Sequence, residues 1–275
     1  MSQSIYESTH KDAARSGDPQ ERNRAWWEAL PMTYAEWESA ERVPKTAQDF
    51  EAVNRAYLQA NPWIAEHVRF ADHKDKLVLE IGCGAGSATC LFAKAGAMVT
   101  AVDLTAQAVA MTGANAAAQG LKNVRVVRMD AEKLDLPDGS LDFVYSWGVI
   151  HHSSEPQTIF GHVARVLRPG GSGLVMVYNR GSLRYWIRGL QWLLLKGKLF
   201  SGETLDSVQR FFTDGFFHKH YAGRELVRAL EKAGLSDVRL SRTHMSKKMI
   251  PLIPRALDEW LKRHYGWLLV AEFRK

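Results

Sequence analysis

Two patterns of apolar and polar positions divide this chain. From Lys76 onward, short apolar runs alternate with stretches of helical periodicity. The runs 77–81, 98–104, 124–129, 141–146 and 174–178 read as strands. Between them, 87–95 (stopped by Gly96), the alanine-rich 105–119 (stopped by Gly120) and 155–167 (closed by Arg168-Pro169-Gly170-Gly171) read as helices. Strands that are apolar almost throughout, separated by helices, predict βαβ units and a parallel sheet covered on both faces. Further on, 224–232 reads as a helix capped by Gly234, followed by strands near 238–243 and 267–273. With no helix long enough for a crossover evident between these last two, they are expected to pair antiparallel.

The flanks differ. Residues 1–60 are polar and helix-leaning, with helices expected over 20–30 and 46–60, punctuation at Pro31, Pro44 and Pro62, and tryptophans at 26, 27, 37 and 63. After Asn179 the alternation stops for some forty residues rich in aromatic and basic side chains. This predicts four regions: a helical cap over 1–65, an α/β core over 66–179, an insertion over 180–221, and 222–275 completing the core.

Composition adds limits. Apolar residues are 46% and charged residues 24% of 275, which suits a globular chain and excludes wholesale disorder, collagen and coiled coil. The 36 lysines and arginines exceed the 30 acids by six, a surplus that matters only where it clusters. Two cysteines, Cys83 and Cys90, build no disulfide framework and point to a reducing compartment. The first twenty residues hold no apolar signal core, and no run reaches the roughly 18 apolar residues of a membrane span. The expectation is a soluble cytoplasmic protein.

The sharpest local signal is Leu79-Glu80-Ile81-Gly82-Cys83-Gly84-Ala85-Gly86, leaving a strand and entering a helix. Glycines there let a ligand touch main chain where a Cβ would collide. A nicotinamide loop wants its third glycine at 87, which is Ser87, and Glu80 would repel a pyrophosphate while suiting a cationic ligand. Asp103 ends the second strand, where a carboxylate can bind a ribose diol or cap the next helix; Asp130 ends the third, where it can accept from an adenine amino group or sit in a turn. Three acids at three successive strand ends face one crevice.

These residues, with Asp130-Ala131, Trp147-Gly148-Val149-Ile150-His151-His152 and Leu167-Arg168-Pro169-Gly170-Gly171, resemble the class I S-adenosylmethionine-dependent methyltransferases, in their methyltransferase-11-like small-molecule branch. The resemblance is strong over 70–180 and topological over 222–275. It implies a Rossmann-like doubly wound sheet, mostly parallel with a C-terminal antiparallel strand, and S-adenosylmethionine as cofactor. It implies that Glu80, Gly82, Cys83, Gly84 and Gly86 cradle the amino-acid part of the cofactor. Asp103 would then bind ribose, Leu104, Asp130 and Ala131 the adenine, with Trp147 beside them.

Methyl transfer is an in-line displacement in which the protein supplies proximity and alignment, and a general base where the acceptor is protonated. His151 and His152, after the fourth strand, are the candidates for that base, His151 being preferred; packing is their other reading. His218 and His220 lack a carboxylate or cysteine at ligand spacing and read as a solvated or substrate-facing pair rather than a metal site. Between Pro156 and Gly202 there is no acid and seven basic residues. Within that stretch Trp186, Leu190, Leu193 and Leu194 share a helical face opposite Arg184, Arg188 and Gln191. A lid over the acceptor is the first reading, with Tyr34, Tyr185, Phe217, His218 and Tyr221 meeting the substrate. An interfacial helix on anionic lipid, serving a lipid or quinone-like acceptor, is the second. A small organic acceptor, apolar or anionic, suits either. No nucleic-acid module or Asn-Pro-Pro-Tyr motif is present; the rival outside enzymology is a non-catalytic nucleotide-binding module.

Overall fold

The computed structural model describes residues 17–29, 44–243 and 254–275; Tyr34 and Trp37 lie outside the described residues. Before the first strand come helices Pro19–Ala29 (α1), Ala47–Ala60 (α2) and Ile64–Val68 (α3). Then follow Leu77–Ile81 (β1), Ser87–Lys94 (α4), Met98–Asp103 (β2), Ala106–Ala118 (α5), Val124–Arg128 (β3), Leu141–Trp147 (β4), Pro156–Val166 (α6) and Leu167–Asn179 (β5). Leu183–Leu190 (α7), His220–Tyr221 (β6), Gly223–Lys232 (α8), Ser236–Thr243 (β7), Arg255–Tyr265 (α9) and Leu268–Arg274 (β8) complete the chain.

The sheet runs β3-β2-β1-β4-β5-β8-β7, with β6 pairing β5 beside this path. β1 pairs parallel with both β2 and β4, so its apolar residues are buried from either face: all but Leu77 lie inside. Strand order reverses between β1 and β4, and a crevice opens at the carboxyl ends there. β8 lies antiparallel between β5 and β7, from Ser172↔Arg274 to Tyr178↔Leu268 on one side. The architecture is the expected doubly wound α/β sheet, mostly parallel with a C-terminal antiparallel strand.

Two local expectations change. The connection between β7 and β8 does contain a helix, the eleven-residue α9, yet the chain returns antiparallel. Arg168-Pro169-Gly170-Gly171 does not close a helix: α6 ends at Val166, Leu167 already pairs with Leu141, and the four residues form an irregularity before Ser172 meets Phe143. Proline supplies no ladder donor, and glycine absorbs the bend.

The N-terminal helices are fastened to the crevice. Thr46 and Asp49 form a capping box that starts α2. Tyr57 and Tyr145 then share a buried hydroxyl contact of 2.8 Å, Trp147 Nε1 donates to Asn61 Oδ1 (3.0 Å), and Ser87 Oγ donates to Asn54 Oδ1 (2.7 Å). Each such bond contributes about 0.5–1.5 kcal/mol net. In α1, Glu28 accepts from the backbone N–H groups of Ala106 and Gln107 (2.9 and 3.3 Å), satisfying free donors at the N-terminus of α5.

Candidate functional site

β1 leaves the sheet into a loop whose glycines 82, 84 and 86 all have positive φ. At Gly82 (φ +78°) a Cβ would sit 2.2 Å from Val149 Cγ2, so backbone and packing both demand glycine. Gly82, Cys83 and Gly84 line a cavity of about 490 Å³. Gly86 does not; it caps the start of α4, against Thr112.

Glu80, Asp103 and Asp130 also line this cavity, with Leu104, Ala131 and Trp147. Glu80 is buried and accepts a short bond from the Thr89 hydroxyl; burial, reinforced by the charge of Asp103, lifts its carboxyl to about 8. Asp103 accepts from the Gly84 N–H (3.1 Å) and from the N–H and hydroxyl of Thr105 (3.0 and 2.8 Å). Burial raises its pKa against the lowering effect of these bonds. Thr105, not Asp103, caps α5, since its hydroxyl accepts from the Ala108 N–H. Asp130 Oδ1 accepts from Glu132 N–H (2.9 Å) and from Gln20 Nε2 of α1 (2.8 Å). The Cys83 thiol is pushed well up by burial, which keeps it protonated.

The same cavity is lined by Trp27, His152, Tyr178, Arg184, Asp214 and Trp267. His152 is 2% exposed, and its Nδ1 lies 2.6 Å from the Phe217 carbonyl. A carbonyl only accepts, so Nδ1 carries the proton and Nε2 is left with a lone pair and no hydrogen-bond partner. Burial holds the imidazole below its ordinary 6.5, while Asp214 pulls the other way. Asp214 Oδ1 itself accepts from the Tyr178 hydroxyl (2.6 Å). Gly215 (φ +88°) makes room for the ring: a Cβ there would lie 2.2 Å from His152 Nδ1.

Other expected site residues stand elsewhere. His151 is wholly buried behind the cavity, its ring 4.0 Å from that of Tyr178, and burial drives its pKa far below 6.5. Tyr185 is buried with its hydroxyl on Asp206, and Tyr221 packs near Phe160 in the core. Phe217 offers its carbonyl rather than its ring, and His218 lies beside His220; none of these four lines the cavity. Among the described residues no three His, Cys, Asp or Glu gather as metal ligands.

The insertion also differs from its expected face. Its second half, Gln191–Leu195, is a wide π-turn, which carries Leu193 inward beside Trp192 and Val208. Trp186, Leu190 and Leu194 remain exposed, while Tyr185 and Gly189 face inward. Sequence reading missed Gln20, Trp27, Tyr178, Asp214 and Trp267 as cavity residues. Only Asp214, a carboxylate before a glycine inside an aromatic run, carried a local signal.

Residues 79–175 match the family described as a methyltransferase domain. The chain is 28% identical over 170 residues to the ubiquinone biosynthesis O-methyltransferase of Azotobacter vinelandii, covering 59% of this chain and 72% of that protein. The enzyme of the same name from Aromatoleum aromaticum is 28% identical over 206 residues, covering 74% and 81%. A crystal structure of a SAM-dependent methyltransferase from Archaeoglobus fulgidus superposes with a TM-score of 0.57 at 18% identity, over 82% of this chain and 94% of that one, a likeness of fold.

Proposed function

We propose that this chain, which matches a methyltransferase domain over residues 79–175, acts as a class I S-adenosylmethionine-dependent methyltransferase and methylates a hydroxyl group of a small planar acceptor, with His152 as general base. One observation carries the reading: a single cavity joins the glycine loop, Asp103 and Asp130 to His152, Tyr178 and Asp214. The residues fit the cofactor, since positive-φ glycine backbone at Gly82 and Gly84 lines the cavity, and carboxylates stand ready for a diol and an amino group. When bound, S-adenosylmethionine supplies an electrophilic sulfonium methyl group. Gly82, Cys83, Gly84 and Glu80 would hold its amino-acid part, Asp103 its ribose, and Leu104, Asp130 and Ala131 its adenine. His152 Nε2 takes the acceptor's proton, and Asp214 stabilises the resulting imidazolium. Trp27 and Trp267 give the acceptor end aromatic walls.

Calorimetry with S-adenosylmethionine, S-adenosylhomocysteine and NADH tests the cofactor assignment. The first two should bind and NADH should not. Asp103→Ala should weaken binding by about 1.5–3 kcal/mol, the range for hydrogen bonds to a charged group. Unchanged affinity in that variant removes Asp103 from the ribose role.

A second reading concerns location. No helix among the described residues is long and apolar enough to cross a membrane. Yet Trp186, Leu190, Leu194, Leu195, Leu199 and Phe200 are exposed, the last by 92%, beside Arg188 and Lys196 and within a stretch free of acids. Such a surface suits the headgroup region of an anionic bilayer. A second copy of the chain suits it less, because a two-fold contact would set these cations against themselves. Vesicles with anionic phospholipid should co-sediment the protein at low salt. Arg188→Glu with Lys196→Glu, both outside the cavity, should abolish this; no co-sedimentation of the unaltered protein sinks the reading.

A further inference from the structure

Among the described residues Arg184 is the one lysine or arginine lining the cavity, and the methyl-transfer reading gives it no task. It sits in the first turn of α7, where the wholly buried Ser182 caps the helix by accepting from the Tyr185 N–H (3.1 Å). Its guanidinium carbon lies over the indole of Trp267, 4.7 Å from the ring centroid. The cation–π contact uses a face of the guanidinium and leaves its in-plane N–H groups to donate. Nη2 gives one hydrogen to the Phe212 carbonyl (3.0 Å), while Nε is buried with no hydrogen-bond partner. Among the described residues no carboxylate lies within 4.0 Å of this arginine. Asp214 lines the same cavity, but its Oδ1 accepts from the Tyr178 hydroxyl, and its charge favours the protonated form of His152.

A guanidinium cannot lose its charge, and a buried, unpaired N–H beside a cavity is costly unless a ligand fills it. Of the four N–H hydrogens left over, the one on Nε and the second on Nη2 are adjacent and coplanar. That edge matches the two oxygens of a carboxylate in a side-on pair. At the other side of the same space, His152 Nε2 and Asp214 suit a group that gives up a proton. The walls between them include the rings of Trp267 and Tyr178, stacked at 4.5 Å.

Resting on the methyltransferase reading, we propose that the acceptor is an aromatic hydroxy acid, its carboxylate held side-on by Arg184 and its hydroxyl presented to His152. Arg184 is therefore a specificity determinant: it selects an anion and sets which hydroxyl meets the base. A neutral acceptor of equal shape leaves the Nε–H unpaired, and the discrimination arises from that loss as much as from the attraction.

The test is binding rather than turnover. Protein saturated with S-adenosylhomocysteine is titrated with 2-, 3- and 4-hydroxybenzoate and with the matching hydroxybenzamides, which keep ring and hydroxyl but lack the charge. At least one acid should bind about tenfold or more tightly than its amide, the scale of a charge-assisted bidentate pair. Arg184→Gln should bring that ratio close to one while leaving the affinity for S-adenosylhomocysteine unchanged. Arg184→Lys, which keeps the charge without the fork, should retain part of the preference and serves as the second variant should the glutamine protein not fold. Equal affinity for acid and amide, failure of all three acids to bind, or an unaltered preference in Arg184→Gln overturns the proposal. The homologue's own binding separates the outcomes: if it binds the unaltered protein and the acids do not, the anion assignment fails alone, whereas its failure to bind defeats the methyltransferase reading beneath it.

Discussion

Replacing His152 with glutamine is expected to lower the rate of methyl transfer by about 10²- to 10⁴-fold, the span attributed to a positioned general base. Cofactor affinity should stay within about twofold, because the ring's partners are Trp27, Tyr178 and the Phe217 carbonyl, none of them in the glycine loop. The argument rests on the tautomer. Nδ1 must donate to the Phe217 carbonyl at 2.6 Å, so the lone pair is at Nε2, the nitrogen left without a partner. Burial lowers the imidazole's pKa below 6.5, so the ring is neutral and ready to accept a proton at pH 7. Activity should therefore persist into mildly acid solution and fall only as pH drops through that lowered value. Gly215→Ala should mimic the loss in part, since its methyl would press on Nδ1 from 2.2 Å. His151→Gln, behind the cavity, should cost much less turnover. Radiolabelled methyl transfer measures all three, and a His152→Gln enzyme with unaltered turnover would falsify the assignment.

Without cofactor, stability should decline as pH rises from about 5 to 8, and Glu80 should be the largest single cause. Its carboxyl is raised from 4.5 to about 8 in the fold. A group whose pKa is raised on folding contributes stability fully present below its unfolded value and lost as pH climbs through the folded one. Here that window is 4.5 to 8, and the difference amounts to several kcal/mol as an upper bound. Glu80→Gln should flatten the dependence and raise the melting temperature of the cofactor-free protein at pH 8 relative to the parent. A cationic ligand beside Glu80 should favour the carboxylate, so binding S-adenosylmethionine at pH 7 should release up to about one proton. Calorimetry in two buffers of different ionisation enthalpy reads this directly. Identical heats in both, together with parallel pH–stability curves for the two proteins, would refute the account.

Much of the cofactor end is local in origin. The run Leu79–Gly86 carries its own strand, turn and helix start, and its glycines occupy the positive-φ positions that the turn requires. Asp103 and Asp130 follow from the same logic, because an apolar run that ends in a carboxylate at each successive strand must place those carboxylates along one sheet edge. Even the antiparallel end was legible, although the helix α9 within its connection was not. Leu257, Trp260 and Leu261 do recur at helical spacing, but the stripe spans little more than one turn, and Leu257 and Trp260 are 45% and 49% exposed.

The acceptor end has a different origin. Trp27, His152, Tyr178, Arg184, Asp214 and Trp267 come from six separate segments, and none marks the others in sequence. The choice between adjacent histidines turned on a carbonyl 65 residues away. Similarly, Gln20 reaches Asp130 across 110 residues, and at the wide turn after α7 Leu193 is buried while Trp186, Leu190 and Leu194, expected on the same face, are exposed. Periodicity and turn chemistry depend on neighbours a few residues apart, so the sequence by itself determined the elements, the sheet edge and the glycine cradle. Which side chains meet across that edge depends on how the elements pack. A side chain's partners then come from distant segments brought together by burial of the common core, and only the tertiary structure decided them.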